Sequence, residues 1–208
     1  MNALRNGLSL SLQKANMAKR FLRLFIRSAA ALLGVMMITL LNAQAQDSKP
    51  SEYEIKAAFL YNFAKFVDWP VESFRDDSSN LTLGILGVDL FGPALDVLKD
   101  KTVKGRKITI KRSKNMEDLK GCQILFISAS EKGNLKQILN ALRDSNVLTV
   151  SEIERFANRG GIVNFIRVDN KIQFEINPEA AQRNKLKISS HLLRLARIVA
   201  TESPKENE

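Results

Sequence analysis

The chain is poor in the residues that carry most enzyme chemistry. Its 208 residues include one cysteine, one histidine and one tryptophan. A single histidine excludes a multi-histidine zinc site, and a single cysteine excludes an internal disulfide. No Gly-x-Ser-x-Gly motif offers a nucleophilic serine, and no Gly-x-x-x-x-Gly-Lys-Ser/Thr loop is present to hold nucleotide phosphates. These absences favour a binding or regulatory protein over an enzyme and predict that no cofactor is needed.

The first 45 residues have the pattern of an export signal. Lysines and arginines are scattered up to Arg27 without an acidic residue, and an apolar run extends from Ala29 to Leu41. This run is shorter than the roughly 20 residues that a membrane-spanning helix needs. Small residues then end at Ala45, as signal peptidase requires. We predict a signal peptide over residues 1–45, cleaved after Ala45, with an uncleaved inner-membrane anchor as the alternative.

Export changes what the charge of the chain implies. Six of the Lys and Arg residues and none of the acidic ones lie in the predicted signal, so its removal lowers the formal net charge from +10 to +4. The remaining charge is too small to indicate a nucleic-acid partner. We therefore expect a periplasmic domain over residues 46–208 that binds no nucleic acid.

An aromatic-rich amphipathic helix opens this domain. It is predicted from Tyr53 to Val67 and must end near Trp69, because Pro70 disfavours helical geometry in the residue before it. At 3.6-residue spacing the following apolar residues share the face expected to point inward: Ile55, Phe59, Phe63, Phe66 and Val67.

Strands and helices alternate through the remainder of the domain. Strands are predicted at 81–87, 107–111, 123–128, 147–150, 162–168 and 171–176, and helices at 93–99, 134–143, 151–160, from 178 and at 191–200. The apolar run 123–128 is typical of a central strand, Asp169-Asn170 of a tight hairpin, and Ser151 to Glu154 of a helix start. We predict an α/β fold: a single three-layer domain with a mostly parallel sheet of about six strands, an antiparallel edge hairpin and helices on both faces.

Four side chains are candidates for contact with a partner. Tyr61 and Trp69 are amphipathic and suit a half-exposed contact surface, although the surrounding aromatic residues are interpreted as core. His191 and Arg194 lie in a basic C-terminal stretch that is either a solvated helix face or a surface for an acidic partner. Cys122 leads into the central strand and is interpreted as a buried, free thiol.

Two further hypotheses stay open. Ligands of α/β proteins bind at the carboxyl ends of the strands, here near Gly87-Val88-Asp89 and Ser128-Ala129-Ser130, so a small-molecule sensor or transport accessory protein is the alternative function. A hydrolase that uses His191 and Ser128 is the least favoured hypothesis.

Several sequence blocks together resemble the YfiR-like family of periplasmic proteins. The blocks are 53–66 with Trp69-Pro70, 121–128, 148–163 and 174–196. The resemblance implies a non-enzymatic regulator that binds the periplasmic sensory domain of an inner-membrane diguanylate cyclase. By binding only the inactive cyclase it would lower cyclic di-GMP and disfavour biofilm. It also implies a homodimer and admits a small-molecule effector.

The chain departs from this family in its cysteines. The type member carries disulfides that couple repression to redox state, and Cys122 matches one of those cysteines. Its expected partner is Gly84 in this chain. The resemblance therefore implies a binding role without that redox control.

Overall fold

The computed structural model describes residues 50–202, and the predicted signal peptide lies outside them. Four α-helices are present in this range: α1 Glu52–Phe66, α2 Leu135–Ala141, α3 Pro178–Arg183 and α4 Ser190–Leu195. The strands are β1 Val67–Asp68, β2 Leu81–Leu86, β3 Thr102–Val103, β4 Arg106–Ser113, β5 Ile124–Ile127, β6 Leu148–Ser151, β7 Val163–Val168, β8 Lys171–Ile176, β9 Lys187–Ile188 and β10 Arg197–Ile198. Short 3-10 helices cover Val71–Ser73, Gly92–Leu98, Met116–Leu119 and Ala129–Asn134.

One mixed sheet with the strand order β10-β8-β7-β6-β5-β2-β4-β3 organises the domain. The five strands from β4 to β7 in this order pair in parallel. The β7–β8 hairpin and the β3–β4 hairpin are antiparallel, and β10 adds to β8 in parallel. The six long strands match the prediction, while β3 and β10 are additional two-residue strands at the edges. A separate antiparallel pair joins β1 to β9.

Apolar layers cover both faces of the sheet, as the sequence predicted. On one face, α1 packs beside α4 and the Gly92–Leu98 helix, and Ala180 and Ala181 of α3 join the same core. On the other face, α2 contributes Leu135 and Ile138 to a smaller core. All four residues of β5 are buried, because this central strand is covered on both sides.

Helix α1 begins with a capping box. The Ser51 side chain accepts from the Glu54 backbone N–H, and the Glu54 carboxylate accepts from the Ser51 N–H. The helix ends at Phe66, in agreement with the prediction. Its buried face was predicted only in part, since Phe63 is buried with the residues Lys56, Ala57, Leu60 and Ala64. Phe59 and Phe66 are half-buried and pack at the margin of the core.

Local turn chemistry was predicted correctly at the hairpin and at α3. Asp169 and Asn170 have φ values of 47° and 58°, as a two-residue type I′ turn requires. Asn177 caps α3, because its Oδ1 accepts from the Ala180 backbone N–H at 3.0 Å.

The predicted helix at 151–160 is wrong. Ser151 is the last residue of β6, and its hydroxyl donates to the Ile127 carbonyl of β5 at 2.7 Å while accepting from Ile153 N–H. The hydroxyl therefore serves a turn after the strand and not a helix cap. Arg155 has a φ of 58°, which interrupts any right-handed helix, and residues 152–160 form successive turns.

The C-terminal helix is shorter than predicted. Ser189 caps α4 as expected, with its Oγ accepting from Leu192 N–H at 3.2 Å. The helix ends at Leu195, however, and the chain becomes extended at Ala196 to supply β10 to the edge of β8. Leu195, the last residue of this helix, is 63% exposed. The helix at 93–99 is likewise replaced by the 3-10 helix Gly92–Leu98.

Candidate functional site

Helix α1 runs along the parallel strands, from their carboxyl ends to their amino ends. Near its start, Lys56 forms an ion pair with Glu152, which directly follows β6 at the carboxyl end of that strand. Just beyond its end, Trp69 Nε1 donates to the carbonyl of Gln123 at 3.0 Å, directly before β5. These two ends differ in burial and in charge.

A charged network at the start of α1 was missed by the sequence analysis. Lys56 is 2% exposed, and its ammonium pairs with Glu52 at 2.5 Å and with Glu152. Arg167 of β7 pairs with Glu52, and the Tyr53 hydroxyl donates to Glu152 at 3.2 Å. A buried ammonium is tolerated only with such compensation, so the network attaches α1 to β6 and β7.

Tyr53 belongs to this network through both its hydroxyl and its ring. Its ring centroid lies 4.6 Å from Lys56 Nζ. Burial, followed by the neighbouring Glu152 carboxylate, raises the pKa of Tyr53 to about 12. The phenol therefore acts as a neutral hydrogen-bond donor within the network. The network couples elements of the fold and presents no nucleophile beside a base.

The four predicted partner residues lie on α1, just after it and on α4, and we call them the partner surface: Tyr61, Trp69, His191 and Arg194. Tyr61 is half-buried, and the ammonium groups of Lys65 and Lys101 lie 5.6 and 5.2 Å from its ring centroid. His191 is exposed on α4 and contacts the Phe66 ring with 5.3 Å between centroids.

Trp69 and Arg194 complete the partner surface at different depths. Trp69 is half-buried, and its only polar group is used internally by the Gln123 carbonyl. Arg194 is exposed one turn after His191 on α4. Within residues 50–202, no hydrogen bond, ion pair or ring contact joins any two of the four side chains. Tyr61, Trp69 and His191 therefore lie near the end of α1, Arg194 lies farther along α4, and the four side chains do not form a preformed pocket.

Cys122 lies buried beside the position that replaces its expected partner. A Cβ at Gly84 would lie 3.0 Å from Cys122 Sγ, so the two positions are neighbours in the core. Burial raises the pKa of the Cys122 thiol to about 11, which disfavours the reactive thiolate. Within the described residues Cys122 is a free thiol.

The loops predicted to bind a ligand are occupied by contacts with each other. Val88 N–H donates to Ser130 Oγ at 3.0 Å, and Asp89 accepts from Arg112 Nε at 2.6 Å. The serine and histidine of the hydrolase hypothesis are also separately engaged. The buried Ser128 side chain accepts from Ser130 N–H, whereas His191 rests on Phe66.

The described residues contain neither a metal-binding cluster nor a membrane-spanning helix. No group of three or more His, Cys, Asp or Glu side chains within 50–202 is arranged to hold a metal ion. No helix in the same range is both long enough and apolar enough to cross a membrane.

Residues 50–202 form a small α/β domain built on a mostly parallel sheet. A family model described as YfiR/HmsC-like matches residues 53–197, which is most of the described domain. The chain therefore belongs to the YfiR/HmsC-like family, and the resemblance found in the sequence is confirmed. A search of curated proteins finds no match to this chain. The family is periplasmic, regulatory and non-catalytic, and membership indicates regulation of a diguanylate cyclase pathway.

Proposed function

We propose that this chain is a periplasmic repressor that binds the sensory domain of an inner-membrane diguanylate cyclase and thereby lowers cyclic di-GMP. The observation that carries the proposal is the family match over residues 53–197. The predicted export signal agrees with it, because such a sensory domain faces the periplasm. A protein that binds only the inactive state of an enzyme shifts the population toward that state without any catalytic residue.

The partner surface is the part of the molecule best suited to this contact. Its aromatic side chains offer contact area at low entropic cost, and the half-buried Tyr61 ring lies beside two ammonium groups. Lys65 and Lys101 add positive charge beside Tyr61, and Arg194 adds a further exposed cation on α4. We expect the cyclase to present an acidic surface with apolar residues at its centre.

Cellular cyclic di-GMP in a strain that lacks this protein tests the proposal. We expect a clear rise relative to the parent strain, reversed by a copy that keeps residues 1–45 and not by a copy without them. The cyclase should also co-purify with the protein from detergent-solubilised native membranes. An unchanged cyclic di-GMP level and the absence of any co-purifying membrane sensor would overturn the proposal.

A further inference from the structure

A row of polar side chains crosses the sheet at the carboxyl end of β6. Ser151, Asn164, Glu175 and Arg197 are consecutive register partners on β6, β7, β8 and β10. Because side chains alternate along a strand, this row lies on the face opposite to that of Phe165 and Phe174, which belong to the α1 core. The row is thus directed toward the side of the sheet that carries α2.

Among residues 50–202 no helix covers this row, because residues 152–160 form turns. A groove of about 580 Å³ lies between that segment and the strands. Asn164 and Glu175 line it together with Glu152, Arg155, Arg167 and Arg197. Its volume suits a small molecule rather than a protein surface.

Asn164 on the groove floor has an unused acceptor. The residue is 2% exposed, and its Nδ2 donates to Glu175 Oε2 at 3.3 Å. A carboxylate can only accept hydrogen bonds, so the amide nitrogen must face Glu175 and the amide oxygen must point away. That buried Oδ1 has no hydrogen-bond partner among residues 50–202. A buried acceptor without a donor is unfavourable and is normally satisfied by something.

Glu175 adds further unused acceptor capacity to the floor. Its side chain is 9% exposed, and Arg197 Nε lies 3.6 Å from Oε1, beyond a good hydrogen bond. The remaining arginines of the wall already have ion-pair partners, Glu202 for Arg155 and Glu52 for Arg167. The floor therefore combines a carboxylate with a neutral acceptor, while the wall offers few unused donors.

We propose that this groove binds a small molecule through a primary ammonium group that donates to Asn164 Oδ1 and to the Glu175 carboxylate. A primary ammonium carries three N–H donors on one compact cation, so it can donate to an amide oxygen and to a carboxylate at the same time. The site is independent of the cyclase contact, since it shares no residue with the partner surface.

Calorimetric titration of the full-length protein tests this site, with methylammonium and 1,4-diaminobutane as the primary ammonium probes. The matched control probe is the same diamine with three methyl groups on each nitrogen. Its two quaternary ammonium groups keep both charges but have no N–H donor. We expect saturable binding of at least one primary ammonium and a raised Tm, because the probe binds the folded state. The methylated diamine should bind about tenfold more weakly or worse, a loss of about 1.4 kcal/mol.

Two variants connect that binding to the floor. Glu175→Gln, which is nearly isosteric, should weaken binding about tenfold or more, and Asn164→Leu should abolish it. Glu179→Gln, an exposed substitution on α3, should leave the affinity unchanged. If Asn164→Leu does not fold, Glu175→Gln alone carries the test. The proposal is overturned if neither probe binds at millimolar concentration, the result expected if a buried water alone satisfies Asn164 Oδ1. It is also overturned if the methylated diamine binds equally well or if Glu175→Gln leaves binding intact.

Discussion

The two ends of helix α1 differ in how their polar groups are used. At the start, Lys56, Glu52, Glu152 and Arg167 satisfy one another and hold the helix on the sheet. At the end, His191 is exposed on α4 and, among residues 50–202, has the Phe66 ring as its aromatic contact. A side chain that is saturated by internal partners has little left for a partner protein. We therefore propose that the start of the helix contributes mainly to stability and that its end contributes to recognition.

The largest expected effect is the loss of the buried ammonium at the start of α1. Lys56→Met removes the cation between Glu52 and Glu152, and Glu152 has few other ways to be compensated. We expect the free energy of unfolding to fall by about 3 kcal/mol, as for other broken buried ion pairs. Urea denaturation measures this change.

Lys65→Met on the same helix is the matched control. Lys65 is exposed and close only to the rings of Tyr61 and Phe66. Its removal should change the free energy of unfolding by about 0.5 kcal/mol or less. Equal effects of the two substitutions would contradict the assignment of stability to the start of α1.

A new disulfide between β2 and the residue before Gln123 would stabilise the part of the sheet that contacts Trp69. Gly84→Cys places a second sulfur beside Cys122, which immediately precedes the Gln123 that anchors Trp69. After oxidation by glutathione disulfide we expect no reactive thiol and a gain of about 2 kcal/mol, at the low end of the usual range because Leu125 is crowded.

Gly84→Ser is the control for this substitution. Serine fills nearly the same space but cannot form the bond, so it should be less stable than the parent protein, because extra atoms in a packed core cost about 1–3 kcal/mol. Reactive thiols that persist in the oxidised Gly84→Cys protein would show that positions 84 and 122 are not neighbours.

A smaller effect is expected from the Tyr53 hydroxyl. Tyr53→Phe removes its hydrogen bond to Glu152 and should cost about 1 kcal/mol at neutral pH. The pKa of Tyr53 is raised to about 12, so unfolded chains lose this proton before folded ones do. The stability that this phenol adds is complete below its ordinary pKa of about 10 and is lost as the pH rises toward 12.

Absorbance titration of the phenol measures that pKa directly. Tyr61→Phe leaves Tyr53 as the only tyrosine of the chain, so one transition is observed. Its midpoint should lie near pH 12, and Glu152→Gln should lower it. A midpoint near pH 10 in the folded protein would place Tyr53 outside the charged network.

Turns and caps that depend on neighbouring residues could be predicted from the sequence, whereas contacts between residues far apart in the chain could not. The Asp169-Asn170 hairpin was predicted because two residues determine that turn. The burial of Lys56 depends on Glu152, which lies 96 positions away. An i,i+4 pair of Glu52 and Lys56 ordinarily indicates an exposed helix face. Nothing near Lys56 in the chain therefore signals the network.

The same contrast explains the errors at Ser151 and at the C-terminus. Ser151 to Glu154 fits a capping box. In the structure, however, the Ser151 hydroxyl donates to the Ile127 carbonyl on the neighbouring strand and does not cap a helix. Residues 196–198 continue an amphipathic pattern, yet the free edge of β8 pairs with Arg197 and Ile198. In both places a strand that is distant in sequence offers the backbone or side chain better hydrogen bonds than a local helix does.

The central claim is that the end of α1 contributes to binding of the cyclase. The most direct test is the cellular level of cyclic di-GMP in strains whose only copy of this protein carries surface substitutions. His191→Ala with Arg194→Ala removes two exposed side chains and should change the free energy of unfolding by about 0.5 kcal/mol or less. Lys136→Ala with Arg143→Ala, two exposed cations at α2 on the other side of the sheet, is the matched control. We predict that the first pair raises cyclic di-GMP to the level of the deletion strain while the control pair keeps it at the parental level. Full repression by a stable His191→Ala/Arg194→Ala protein would contradict the assignment of recognition to the end of α1.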